Sequence, residues 1–231
     1  MDYTYHKIIK KCQTAFEDIK TFYQADVVNY RGKTSDTGEY YTEVVAKFVL
    51  DNIDAFKTGI PMIAREKSYI SLKRNGEFRT DSNRIEEITA MKMFNKSRQG
   101  KEYGFIGKII DYQTPLKAKR GDVAGKIDLL SYNGDILRIL ELKKPDSVET
   151  MLRCVLEGYT YMMTVDRVKL LAERKMPSDT VIKASPFVFR NGLQYQEMQE
   201  ERTWLKRLMS ELDSVPFYIV EENENYYVTE D

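Results

Sequence analysis

The chain has 231 residues, 42% of them hydrophobic and 31% charged, and its formal net charge is zero. This length suits one domain or one domain with an appendage, and no apolar run approaches the roughly 20 residues that span a bilayer. The two cysteines, Cys12 and Cys154, exclude a disulfide framework and a four-cysteine metal site. Because the N-terminus lacks the basic and apolar regions of a signal peptide, we expect a cytoplasmic protein with no membrane partner.

Charge is unevenly distributed along this neutral chain. Residues 92–120 hold eight basic residues against two acids, whereas residues 197–231 hold ten acids against three basic residues. A basic face is compatible with nucleic-acid binding, and lysines on an ordinary solvated surface explain the same pattern equally well.

Two helices are predicted in the N-terminal part of the chain. Apolar residues recur at spacings of three and four over 8–23, and a second stretch of this kind covers 39–56. We therefore interpret residues 1–80 as an N-terminal helical extension and residues 81–231 as the core domain.

A third helix is expected to begin near Asn83, because Asn83 and Glu86 fit a capping box. The apolar patterns after this helix predict three strands, at 103–112, 123–132 and 135–143.

The C-terminal part returns to a helix after these strands. Asp146 and Glu149 fit a second capping box, which predicts a helix from there to about Met163. A strand, a helix and a short hairpin are then expected, at 181–189, 197–212 and 215–228. This order predicts an α/β fold with a mixed central sheet, a three-strand antiparallel meander plus a further strand, flanked by helices.

An unusual group of charges lies on the second and third predicted strands. Asn133-Gly134 joins these strands and is a strong signal for a tight hairpin. The first strand carries Asp128, and the second ends in Glu141 and Lys143, which project on one face because strand side chains alternate. Two carboxylates at the end of an apolar sheet are costly to bury unless a cation binds them, and a divalent metal is the obvious candidate.

The spacing of Asp128 and Glu141-x-Lys143 resembles that of the PD-(D/E)xK nuclease superfamily. The element order is similar as well: a helix, three antiparallel strands with the acid on the second and E-x-K on the third, then a helix and a fourth strand. Ile127 stands where family members often have proline. The resemblance implies a restriction-endonuclease-like core.

This resemblance implies a nuclease that hydrolyses phosphodiester bonds in DNA, with Mg²⁺ as cofactor and Mn²⁺ as a substitute. Asp128 and Glu141 would hold the metal, and the carbonyl of Leu142 would add an oxygen ligand. Lys143 would stabilise developing charge or activate the water, with a pKa lowered by burial. DNA is the implied partner, and a homodimer or a larger nuclease assembly is compatible with the family.

Family members also place an acid on the helix before the sheet. Glu86 and Glu87 are both available, and Glu87 is favoured because it lies closer to the inward Met91–Phe94 face. Glu43, on the earlier helix, is the outside candidate.

The helix after the motif carries Arg153, Glu157 and Tyr161 on one face, where family members often have a glutamine and a tyrosine. Arg153 and either Tyr159 or Tyr161 could contact phosphate or orient Lys143. An exposed, salt-bridged helix face explains the pattern at least as well.

Lys117, Lys119 and Arg120 lie in the turn between the first two predicted strands and would hold a nucleic-acid backbone. A solvated basic loop is the equally good alternative.

Other chemistries have little support in the sequence. A single histidine, His6, excludes sites that need several, and no GxxxxGK[ST] loop is present. The alternative to a nuclease is a catalytically silent, nuclease-like domain that binds nucleic acid or protein in a defence, transposition or repair assembly.

Overall fold

A computed structural model describes residues 2–70, 84–118, 125–223 and 225–230. Within these ranges the protein is an α/β fold in which helices flank a six-stranded mixed sheet. The strands are β1 Lys108–Pro115, β2 Lys126–Tyr132, β3 Ile136–Leu142, β4 Val181–Phe189, β5 Phe217–Glu222 and β6 Asn225–Thr229. The helices are α1 Tyr5–Phe16, α2 Tyr41–Asp51, α3 Ile53–Thr58, α4 Ile85–Arg98, α5 Met151–Thr164, α6 Arg167–Glu173, α7 Leu193–Gln199 and α8 Thr203–Glu211.

The strands lie in the sheet in the order in which they occur in the chain. β1, β2 and β3 form an antiparallel meander, β4 runs parallel to β3, β5 runs parallel to β4, and β6 is antiparallel to β5. The predicted meander and further strand are therefore confirmed, and the predicted C-terminal hairpin is the β5–β6 pair.

The turn between β2 and β3 fixes the register of the motif-bearing strands. Asn133 Oδ1 accepts hydrogen bonds from the backbone N–H groups of Asp135 and Ile136, at 3.1 and 2.9 Å. Gly134 adopts a φ of +105°, which a residue with a side chain would adopt only with strain. Leu129 consequently pairs with Leu140, so that Asp128 lies opposite the end of β3.

Each face of the sheet is covered by a separate apolar cluster. On one face Ile127, Leu130 and Ile139 join α5 and the N-terminal helices, so the N-terminal part completes the core. On the other face Leu129 and Leu140 pack with α4 and the C-terminal hairpin. Burial of both faces explains why β3 is almost continuously apolar. None of the described helices is long and apolar enough to cross a membrane.

Several predicted helix boundaries are wrong. The helix predicted over 8–23 ends at Phe16, and the stretch over 39–56 is divided into α2 and α3. The helix after the motif begins at Met151, because Thr150 Oγ1 caps it by accepting a hydrogen bond from Arg153 N at 3.1 Å. Asp146 and Glu149 do not form a capping box there, since the Glu149 carboxylate pairs with Lys143.

The helix predicted at 197–212 is two helices. Glu200 has an extended backbone and separates α7 from α8. Asn83, half of the other predicted capping box, lies outside the described residues.

Candidate functional site

The C-terminal end of β3 carries a buried ion pair between Glu141 and Lys143. Glu141 is 3% exposed and Lys143 is 6% exposed, and Lys143 Nζ lies 2.8 Å from Glu141 Oε1. The backbone N–H of Lys143 donates to Phe187 O at 3.1 Å, which extends the pairing with β4 beyond the end of β3. Both side chains are thus fixed by the sheet.

Two further carboxylates surround the Lys143 ammonium. Its Nζ lies 2.7 Å from Glu149 Oε2 and 3.3 Å from Glu157 Oε2. Lys143 Nζ donates hydrogen bonds to Glu141 Oε1 and Glu157 Oε2, whereas its contact with Glu149 is an ion pair without a hydrogen bond. With all groups ionised, Glu141, Glu149 and Glu157 would carry three negative charges against the two positive charges of Lys143 and Arg153. A bound cation would offset the remaining negative charge.

Helix α5 holds Glu157 in place with its own side chains. Tyr161 OH donates to Glu157 Oε1 at 2.9 Å, and Arg153 Nε lies 3.3 Å from Glu157 Oε2. The Arg153 guanidinium also covers the ring of Tyr23, at 5.2 Å from its centroid. This face of α5 is therefore buried rather than exposed, and Arg153 is engaged within the protein. Tyr159 packs against Phe56, away from this cluster.

Asp128 lies at the neighbouring position on β2. Its Oδ2 accepts a hydrogen bond from Leu142 N, and its Oδ1 accepts one from Gln113 Nε2, both at 3.0 Å. Gln113 has a φ of +51°, in the left-handed region. The backbone of Leu142 thus lies against Asp128, while the Leu142 side chain is buried in the core of the opposite face.

The helix acid beside the motif is Glu86 rather than Glu87. Glu86 Oε1 accepts a hydrogen bond from Lys144 N at 3.1 Å, and its charge acts on Asp128. Glu87 instead pairs with Arg84 at 3.4 Å. The position of Glu87 near the Met91–Phe94 stripe does not bring it to the site, since the site contacts the beginning of α4 and not its apolar face.

Burial shifts the ionisation of the two motif carboxylates. It raises the pKa of Asp128 to about 7, against the opposing attraction of Lys143. It also raises the pKa of Glu141 well above its usual value, and repulsion from Glu157 adds to this rise. For Glu157, Lys143 and Arg153 outweigh burial and lower the pKa.

The expectation of a lowered pKa at Lys143 is wrong. Burial does disfavour the ammonium, but Glu141 and Glu157 lie close enough to overcome it, and they raise the pKa of Lys143 well above its usual value. Lys143 is therefore a cation at neutral pH.

The donor types of this cluster suit a hard divalent cation. Glu141 Oε2 is buried and has no hydrogen-bond partner among the described residues. No group of three or more histidine, cysteine or acidic side chains among those residues is arranged to hold a metal. Mg²⁺, however, usually takes one or two carboxylates and retains several waters. Asp128 and Glu141 fit that requirement.

The other predicted site residues lie elsewhere. Lys117 is exposed, with its carbonyl bonded by the Arg65 guanidinium, and 119–120 lie outside the described residues. Both oxygens of Glu43 accept hydrogen bonds from the first turn of α8, from Trp204 N and Leu205 N, which explains its burial structurally.

Sequence reasoning missed two members of this cluster. The sequence predicts a helix cap for Glu149, and its contact with Lys143 depends on the path of the loop between β3 and α5. Gln113 carried no signal, because its contact with Asp128 depends on the pairing of β1 with β2.

Comparison with protein-family models, curated proteins and solved structures yields no match to this chain.

Proposed function

We propose that this protein is a Mg²⁺-dependent nuclease of the PD-(D/E)xK type, with a restriction-endonuclease-like core, that hydrolyses phosphodiester bonds in DNA. One observation carries the proposal: Asp128 and Glu141 lie at the end of adjacent strands, beside Lys143, and Glu141 Oε2 is buried with no partner among the described residues. A buried carboxylate oxygen without a partner is costly, and a cation would remove that cost.

Asp128 and Glu141 would hold Mg²⁺, and Mn²⁺ would substitute. The metal supplies a Lewis acid for the phosphoryl oxygens and lowers the pKa of a bound water. Glu141 would present Oε2, since Oε1 is bonded to Lys143.

Lys143 would act on the phosphoryl group as a fixed positive charge. Its raised pKa keeps it protonated at neutral pH, so it stabilises developing negative charge and does not abstract a proton. Glu157 is the positioning residue for Lys143, because Tyr161 and Arg153 fix its carboxylate.

The test is a cleavage assay with Mg²⁺ or Mn²⁺ on single-stranded, double-stranded and branched DNA and on RNA. Wild type should cut at least one DNA substrate, and Glu141→Gln and Lys143→Met should lose at least about 100-fold in rate. Glu211→Gln is the matched control, because Glu211 also pairs with a lysine but is exposed. Equal cleavage by Glu141→Gln and wild type would rule out this mechanism.

One observation favours a second candidate, a nuclease-like domain that binds nucleic acid or protein without cutting. Both oxygens of Asp128 already accept hydrogen bonds, and Lys143 already has three carboxylate partners. Titration with Mn²⁺ separates the candidates, because a metal that binds only the folded state raises its stability. No rise in melting temperature would favour the binding domain.

A further inference from the structure

A second concave site lies at the far end of α4. It is a pocket of about 340 Å³ between the outer side of α4, the segment after it and the β5–β6 turn. Its lining combines amides and lysines over a floor formed by Tyr103 and Tyr226, which are 3% and 7% exposed. Its volume is within the range of small-ligand sites, but its lining is more polar than theirs, which favours a polar or charged ligand.

The described lining residues give this pocket a positive charge. Lys92, Lys96 and Lys101 line it, and the described lining residues include no acid. None of these three lysines forms an ion pair with a residue that the structure describes. Three ammonium groups close together repel one another, so an anion in the pocket would stabilise the arrangement.

An exposed aromatic side chain lies beside one of these lysines, Lys101. The ring of Tyr227 is 46% exposed, and Lys101 Nζ lies 5.0 Å from its centroid. An exposed ring next to ammonium groups suits a ligand that has both a phosphate and a base, because bases stack on aromatic side chains.

Helix-dipole compensation explains only part of the pattern. Cations are favourable in the last turn of a helix, which accounts for Lys96 and Arg98. Lys92 lies before that turn and Lys101 lies beyond the end of α4. The helix dipole therefore does not explain why Lys92 and Lys101 line the same pocket as Lys96.

Helix α4 connects the pocket with the candidate site. Glu86 in its first turn bonds to Lys144 N beside Asp128, whereas Lys96 in its last turn lines the pocket. Ten residues of helix span about 15 Å. The charges of one strand are spaced about 3.4 Å along the axis of a DNA duplex, so this distance corresponds to about four base pairs.

We infer that the pocket formed by Lys92, Lys96 and Lys101 binds phosphate esters, and that its ligand is a nucleic-acid strand which also reaches the candidate site. The inference rests on the proposed function for the choice of a strand as ligand. Binding at the pocket does not require cleavage.

The experiment measures fluorescence anisotropy with EDTA present, which prevents cleavage. The probes are a 12-nucleotide strand, a 3-nucleotide strand and a labelled nucleoside triphosphate. Each phosphate contact changes log K by about 0.7 per tenfold change in salt on a single strand. Lys96→Gln/Lys101→Gln should therefore weaken the 12-nucleotide strand about 20-fold at 0.1 M salt and reduce the salt slope by about 1.4. The 3-nucleotide strand also contacts the lysines and should be weakened as well, but it should bind less tightly than the 12-nucleotide strand, which reaches both sites.

Two variants make the result specific. Lys67→Gln/Lys206→Gln removes the same charge from exposed lysines elsewhere and should leave binding within about twofold. Lys96→Arg/Lys101→Arg keeps the charge and should retain binding, which excludes misfolding as the cause of a loss.

Each outcome has a defined consequence. If Lys96→Gln/Lys101→Gln loses binding of the nucleoside triphosphate only, the ligand of the pocket is a free nucleotide and the inference of a nucleic-acid strand is wrong. Unchanged binding of all probes by Lys96→Gln/Lys101→Gln would overturn the phosphate site. Lysine-dependent binding by a protein that cuts nothing would instead contradict the nuclease proposal and leave this inference intact.

Discussion

Lys143 Nζ and Glu141 Oε1 lie 2.8 Å apart on one face of the sheet, in a setting where both side chains are more than 90% buried. An ion pair at this depth loses the hydration of both charges, and only close geometry and further hydrogen bonds offset that loss. Glu157 accepts a further hydrogen bond from Lys143 and Glu149 adds an ion pair, whereas Glu141 Oε2 has no hydrogen-bond partner among the described residues. The lysine is thus well compensated and the glutamate is not.

Replacing the lysine is expected to destabilise the fold. Lys143→Met leaves several buried carboxylates without their cation, and breaking a buried pair typically costs about 3–5 kcal/mol. Urea unfolding of the metal-free protein measures this loss. Lys57→Met, which breaks an exposed pair with Glu211, is the control and should change stability by less than about 1 kcal/mol.

Removing a carboxylate should restore part of that stability. In Lys143→Met/Glu141→Gln the buried charge of Glu141, which pairs only with Lys143 among the described residues, is absent, so the double variant should be more stable than Lys143→Met alone. The double-mutant cycle gives the coupling energy between the two residues. Additive effects would show that the two groups, 2.8 Å apart, do not interact energetically.

The two acids at the start of α4 provide a matched pair. Glu86→Gln should lower cleavage by an order of magnitude or more, because Glu86 bonds to Lys144 N and its charge acts on Asp128. Glu87→Gln should leave the rate within about twofold, since Glu87 pairs with Arg84. Rates under single-turnover conditions measure both effects. The reverse order would support the preference for Glu87 that the sequence gives.

Local chemistry explains which parts of the fold the sequence predicts. The β2–β3 hairpin is predicted from Asn133 and Gly134, and the structure confirms this prediction. The capping box at Asp146 also has the right residues, but Glu149 contacts Lys143 instead. A tertiary ion pair overrides a local preference that is worth only about 1 kcal/mol.

In the candidate site, too, some contacts follow from the local sequence and others depend on tertiary structure. Glu141 and Lys143 share a face because strands alternate, so their closeness follows from the sequence. The choice between Glu86 and Glu87 depends on where the start of α4 meets the end of β3, and helical periodicity does not contain that information. Gln113 reaches Asp128 only because β1 pairs with β2 around a residue of positive φ.

Divalent cations should stabilise the protein through Glu141. If Mn²⁺ binds only the folded state, a concentration of about 100 times Kd adds about 2.7 kcal/mol, or roughly 5–10 °C for a chain of this size. Glu141→Gln should lose this gain while it retains its metal-free melting temperature within a few degrees. Calorimetry with Mn²⁺ and with EDTA measures both quantities, and an undiminished gain in the variant would remove Glu141 from the metal site.

Stability of the metal-free protein should fall with pH because of Asp128. Its pKa is raised from 3.8 to about 7 by burial, so the folded state binds the proton more tightly than the unfolded state. The contribution of Asp128 is therefore fully present below about pH 4 and is lost as pH rises from there through about 7.

The variant Asp128→Asn isolates this contribution, because it cannot ionise. The free energy of unfolding of wild type minus that of Asp128→Asn should decrease across this window, with a slope of at most about 1.4 kcal/mol per pH unit. Partial solvent access to Asp128 makes the slope shallower. Urea titrations at half-unit steps from pH 4 to 8 measure it, with Asp135→Asn, an exposed acid, as control. A difference that rises with pH would mean that the carboxylate is stabilised in its charged form, and would contradict the raised pKa.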